Sequence, residues 1–223
     1  MATNTLFTTI SRGAPQKSNL KGFYGFTLAE VLITLVIIGV IAAMTIPTLI
    51  NKTNKQEYVS RLKKTYSTLA QATGKIVAEE GSSVHWADTR AHILERYKKH
   101  LSGVKVCNVG ADCFNGAGMK YLDTDTYDYA WQDVSSGLML ADGTHLLFTV
   151  VVNGIDPPFP VVIADINGNK GPNMYGRDGF WFRIKEYNIV PEGDGQSMCP
   201  GSYQGNRGKG CAARVLKENA MNY

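Results

Sequence analysis

The first 25 residues contain no Asp or Glu, and Arg12, Lys17 and Lys21 are their only charged side chains. Beyond them 20 basic residues stand against 19 acidic ones. That balance excludes the clustered Lys and Arg of a nucleic-acid face. Histidine is scarce, and His92 and His100 have no Cys or acid at metal-ligand spacing, so His85, His92 and His100 read as solvated or internally satisfied groups rather than zinc ligands. No Ser/His/Asp set, paired-carboxylate cleft or P-loop is present, and the Gly-rich residues 201–210 lack the strand-turn-helix context of a phosphate loop. The expectation is a protein that is not an enzyme and holds no cofactor. Disorder is excluded as well, because 44% of the residues are hydrophobic and 10% aromatic.

What the chain does have is one long apolar run. Residues 26–46 read FTLAEVLITLVIIGVIAAMTI, with Glu30 as the single ionisable side chain. At ~1.5 Å per residue such a helix spans the hydrocarbon core of a bilayer. The positive leader upstream predicts a cytoplasmic N-terminus and a C-terminal domain on the far side. A secretory signal would carry only ~7–15 apolar residues before a small-residue cut site. Glu30 is out of place, since a carboxylate in hydrocarbon costs ~3 kcal/mol on insertion scales and marks a functional position. No Lys or Arg lies in the run to pair with it. A cut between Gly25 and Phe26 would make a new α-amino group at the membrane edge, and a neighbouring subunit's amine could then meet this acid.

Residues 21–47, KGFYG/FTLAEVLITLVIIGVIAAMTIP, resemble the processing and assembly segment of type IV pilins and type II secretion pseudopilins. The resemblance implies a prepilin peptidase that cuts after Gly25 and methylates Phe26. It further implies an assembly role for Glu30 and a helix-kinking role for Pro47. It places residues 1–25 as a cytoplasmic leader, 26–47 as a single-pass inner-membrane helix and 48–223 as an exported pilin-like domain. The partners implied are other pilins in a fibre, the peptidase and the inner-membrane assembly machinery.

After Pro47, residues Tyr58, Val59, Leu62, Tyr66, Leu69, Thr73, Ile76 and Val77 recur at intervals of three and four, the stripe of an amphipathic helix running to about Glu80. A second helix is expected over 88–101, capped by Asp88, with Ile93, Leu94, Tyr97 and Leu101 on one face. Strands are expected over 137–141, 145–152, 159–164 and 180–186, the first two joined at Asp142-Gly143. The fold class is therefore α+β, a long N-terminal helix packed on a small antiparallel sheet, as in pilins.

The cysteines are Cys107, Cys113, Cys199 and Cys211. In a domain sent to an oxidising compartment disulfides are the default. Of three possible pairings, Cys107 with Cys113 and Cys199 with Cys211 close short loops and are favoured.

The segment 165–178, DINGNKGPNMYGRD, alternates Asp165, Asn167 and Asn169 like the opening of an EF-hand loop. Lys170 at the sixth position and Gly176 at the twelfth exclude a standard EF-hand. A turn held by Pro172, Asn173 and Asx side chains is the preferred reading, and calcium on Asp165, Asn167, Asn169 and Asp178 the minor one.

The functional expectation is a structural subunit of a type IV pilus or related fibre. Its alternatives are a pseudopilin of a type II secretion system and an anchored binding module that forms no fibre, whose exposed loops, including residues 203–209, recognise a ligand.

Overall fold

The computed structural model describes residues 25–82, 90–113, 118–123, 126–128, 135–151, 158–193, 199 and 207–223. The chain divides into two compact units, Met1–Ile46 and Pro47–Tyr223. His85, Asp88 and residues 203–206 lie outside the described residues.

In the first unit the apolar run is helical and opens α1 (Leu28–Glu80). Aliphatic side chains occupy every side of it, so no single neighbour could cover them all; Val36, Ile38 and Met44 are 64%, 62% and 72% exposed. The helix is long and apolar enough to cross a membrane.

In the second unit the same helix changes chemistry. Pro47 lies inside it, and beyond that point Val59, Leu62, Thr65, Leu69, Ala72, Thr73 and Ile76 form one buried stripe. Tyr58, Tyr66 and Val77 pack along the margins of the stripe rather than at its centre. The helix stops at Gly81, whose positive φ of 82° lets its N–H reach back to the Val77 carbonyl at 2.8 Å. The remaining elements follow in order: α2 (Arg90–Lys98), β1 (Gly103–Cys107), α3 (Gly110–Cys113), β2 (Met119–Lys120), β3 (Tyr127–Asp128), β4 (Ser136–Leu140), β5 (His145–Val151), β6 (Phe159–Asp165), β7 (Gly179–Lys185), β8 (Asn188–Pro191) and α4 (Cys211–Glu218).

Six strands form one antiparallel sheet in the order β1-β4-β5-β6-β7-β8, and β2 pairs with β3 in a separate ladder. The Asp142-Gly143 turn joins β4 to β5 as the sequence predicts, with Leu140 N–H donating to the Thr144 carbonyl at 2.8 Å. The sheet is larger than the four expected strands, because β1 and β8 extend it at opposite edges.

Both faces of the sheet are covered. The two faces alternate along the strands. Leu146, Phe148 and Val150 of β5, Val162 and Ala164 of β6, and Phe180, Phe182 and Ile184 of β7 pack with the α1 stripe, Ile93, Leu94 and Tyr97 of α2, and Ala212 and Val215 of α4. Tyr66 of α1 stacks on Phe182 with centroids 5.9 Å apart. The intervening residues, Leu147, Val151, Val161, Ile163 and Trp181, form a second core with Cys107, Cys113, Met119 and Tyr175. Two-sided covering explains why β5 is buried at all seven positions instead of alternating with solvent.

Candidate functional site

Gly25 has nothing within 4 Å of the position a side chain would occupy, and Phe26 is 88% exposed. Helix α1 starts two residues later on a reciprocal cap. Glu30 Oε2 accepts from the Thr27 backbone N–H and from Thr27 Oγ1, both at 2.8 Å. Thr27 Oγ1 in turn accepts the Glu30 N–H at 3.2 Å. This is a T-x-x-E capping box, which satisfies two N–H groups that a helix start otherwise leaves unpaired. The spacing was legible in Thr27 and Glu30 and gives Glu30 a local task in addition to any assembly role. Thr27 engages only Oε2 of the carboxylate.

The structure pairs Cys107 with Cys113 and Cys199 with Cys211, at Cα separations of 5.7 and 4.7 Å. The first bridge joins the end of β1 to α3. A glycine is required beside it, because a Cβ on Gly137 of β4, opposite Cys107, would stand 2.8 Å from Cys113 Sγ. The second bridge fastens residue 199 to the first turn of α4, and Arg214 of that helix donates to the Cys199 carbonyl at 2.8 Å.

The β6–β7 connection is a turn held by its own side chains. Asp178 Oδ2 and Oδ1 accept the Asn173 and Met174 N–H groups at 2.8 and 2.6 Å. Asp165 Oδ1 accepts the Asn167 N–H at 3.1 Å, an Asx turn. Asn173 sits at φ 50°, and the Gly171-Pro172 bond is cis. Lys120 of β2 ties the loop from outside, its N–H donating to the Asn173 carbonyl at 2.8 Å and its carbonyl accepting from Tyr175 at 2.9 Å. Asp165 and Asp178 are fully buried, whereas Asn169 is exposed. Burial, and the charge of nearby Asp178, push the Asp165 carboxyl well above the usual carboxylate range. Burial likewise raises Asp178, against the hydrogen bonds it receives. Among the described residues no group of three or more His, Cys, Asp or Glu is placed to hold a metal. A cleft of about 660 Å³ adjoins the turn, lined by Asn51, Asn54, Lys55, Tyr58, Pro172 and Arg177 among others.

One constellation was not read from the sequence. Lys209 is buried, its Nζ 2.6 Å from Asp128 Oδ2. The rings of Trp181, Tyr175 and Tyr121 surround the ammonium at 4.6, 5.2 and 5.3 Å from their centroids, a cation–π enclosure. Tyr175 also donates its hydroxyl to Asp128 Oδ2 at 3.3 Å. Burial lowers the Lys209 pKa, and the Asp128 carboxylate opposes that shift. This corrects the expectation that residues 203–209 present an exposed recognition loop: the end of that segment, Gly208 and Lys209, is inside the fold. A lone Lys in a Gly-rich run reads as solvated, and the three rings that enclose it come from distant parts of the chain.

With the fold and these geometries in hand, the class of protein is defined. The prokaryotic N-terminal methylation motif matches residues 20–46, and the segment it covers, followed by an α+β domain built on one long helix, is that of a type IV pilin-like or pseudopilin-like subunit. Residues 48–197, two thirds of the chain, match the model of a family of unknown function (DUF6613), and the chain belongs to that family. No curated protein and no solved structure matched the chain.

Proposed function

We propose that the chain is made as a prepilin, cut between Gly25 and Phe26, methylated on Phe26 and built into a type IV pilus or related fibre through the helix that follows. Residues 1–25 are then a cytoplasmic leader, 26–47 the inner-membrane helix with Pro47 as its flexion point, and 48–223 the exported domain. The observation that carries this reading is Glu30, a single acid in an otherwise apolar helix, placed five residues after the glycine at the end of a basic leader. The cap explains why Glu30 is tolerated in one chain; it leaves Oε1 for the α-amino group that cleavage would create on a neighbour. Two disulfides and a long C-terminal domain favour a pilin over a small, cysteine-poor pseudopilin. The role is assembly with other subunits rather than turnover.

Intact mass of the protein extracted from membranes tests the pathway in one measurement. The expected species lacks residues 1–25, carries one added methyl group and has both disulfides closed. Gly25→Leu is expected to leave the full-length precursor in the membrane fraction. Glu30→Ala is expected to be inserted and processed yet absent from sheared fibres when it is the only copy expressed. Normal processing of the first variant, or wild-type fibre levels of the second, would overturn the reading.

A further inference from the structure

Asn51, Asn54, Lys55 and Tyr58 stand at positions i, i+3, i+4 and i+7 of α1, which sets them on one face of the helix. That face lines the open cleft of about 660 Å³, to which the β6–β7 turn contributes Pro172 and Arg177. Lys55 and Arg177 are the charged residues of the lining, which holds no Asp or Glu. The residues after α4 fasten both sides: Lys55 Nζ donates to the Met221 carbonyl at 3.0 Å, and the Tyr223 hydroxyl donates to the Gly176 carbonyl. An ammonium has three N–H groups, so two of those on Lys55 remain for a ligand. Asp178, next to Arg177 in the chain, is buried and accepts the Asn173 and Met174 N–H groups on its two oxygens, so its carboxylate is taken up by the turn. The cleft is thus built for an anion. Its place in the chain says where that anion comes from. Asn51 follows Ile46, the end of the apolar run, by five residues, and five residues of chain reach at most ~18 Å in any conformation. Basic residues beside a membrane span are ordinarily kept on the cytoplasmic side. With residues 48–223 exported, Lys55 stands on the other side, where an anionic group at the membrane surface accounts for it.

We propose that this cleft binds the headgroup of an anionic phospholipid, with Arg177 and Lys55 on the phosphate oxygens and the Asn51 and Asn54 amides on the hydroxyls of the headgroup. The inference rests on the reading of residues 26–47 as a membrane helix. The planar fork of Arg177 matches two phosphate oxygens at once, while Lys55 adds a point charge from the helix side. Two cations facing one phosphate select a lipid of net negative charge, because the ammonium of a zwitterionic headgroup would be brought against them. The rings of Tyr58 and Tyr223 and the Pro172 side chain give the glycerol backbone an apolar surface to lie on. A headgroup held there tethers the exported domain to the leaflet it faces until the subunit leaves the membrane.

The test uses the full-length chain reconstituted into nanodiscs of mixed phosphatidylglycerol and phosphatidylcholine, then released and weighed by native mass spectrometry, which counts the lipids that stay bound and identifies their class. Wild type is expected to retain one phosphatidylglycerol per chain, enriched at least several-fold over its share of the bilayer. Arg177→Gln and Lys55→Gln are each expected to lose that enrichment. Arg177 is exposed, so its replacement is expected to leave the urea unfolding midpoint unchanged, which separates loss of the site from loss of the fold. Lys52→Gln removes the same charge from an exposed residue outside the cleft and is expected to keep the enrichment. Equal losses in all three variants would reduce the effect to the general attraction of basic residues to an anionic surface and overturn the site. Retention of both lipids in proportion to the bilayer would overturn it too. Glycerol 3-phosphate distinguishes the sources of the phosphate: it is expected not to displace the lipid, and a wild-type chain that exchanges its lipid for it would reassign the cleft to a soluble phosphate. A chain that enters no bilayer overturns the membrane reading itself, whereas one that inserts without enriching phosphatidylglycerol overturns the cleft alone.

Discussion

Within α1, residues 31–41 and residues 59–76 are both rich in aliphatic side chains, yet the first stretch is exposed and Leu62, Leu69 and Ile76 of the second have no exposed surface. The difference lies in arrangement. From Val31 to Ile41 apolar groups point in every direction, which one protein neighbour cannot cover and a lipid or multi-helix environment can. From Val59 onward they keep to one stripe, while Arg61, Lys63 and Lys64 take the other sides, and a single sheet suffices to bury them. One helix is thus written for two solvents.

Truncation on each side of Pro47 is the strongest way to break this comparison. Leu69→Ala is expected to destabilise the folded domain by ~2–5 kcal/mol, the cost of a core cavity. Ile38→Ala is expected to leave that stability unchanged. Urea unfolding of the detergent-extracted chain checks both, and equal losses would mean that the apolar run belongs to the same core. Next in size are the disulfides. Replacing Cys199 and Cys211 together by Ser is expected to cost ~3 kcal/mol, and replacing Cys107 and Cys113 slightly less because their loop is shorter; neither pair should affect the helicity of residues 28–46.

The core side of the comparison also has a pH signature. Burial raises the pKa of Tyr97, Tyr175 and Tyr223, and burial with the Asp128 charge takes Tyr121 up to about 12. The folded state therefore keeps protons that the unfolded chain releases near pH 10, so the stability these phenols contribute is full below pH 10 and falls as pH rises above it. Absorbance titration at alkaline pH is expected to show the buried rings of Tyr97, Tyr175 and Tyr223 ionising only on unfolding. The smallest effect falls on the membrane side. Thr27→Ala removes the cap and is expected to cost ~1 kcal/mol at the start of α1, read as faster amide exchange over residues 28–31 with no change beyond Pro47.

Much of this was legible in the sequence. Periodicity placed the stripe of α1, and apolar runs around Asp142-Gly143 placed β4 to β7. β1 and β8 escaped for a shared reason: GVKVC and NIVP are short edge strands, one interrupted by Lys105 and the other closed by Pro191, and edges carry little pattern because only one side is paired. The turn between β7 and β8, Glu186-Tyr187, has none of the usual turn residues. α4 follows a Gly-rich run and begins at a cysteine, so nothing in its first turn announces a helix. Of the sites, the alternating Asx residues named the β6–β7 loop, but not which of their oxygens the backbone would use. The Lys209 enclosure depends on β3, β7 and two loops meeting, and no local window contains that information.

The order of the sheet has a consequence for how the domain is made. From β5 to β8 each strand pairs with the one synthesised just before it. As the chain lengthens, every new strand meets a partner already in place, and loop closure for each step is short. β1 alone must wait for β4, and its end is occupied meanwhile by the small loop to Cys113. Growth by successive addition keeps at most one open hydrogen-bonding edge at the growing side, which limits the time in which two nascent copies could pair with each other instead of folding.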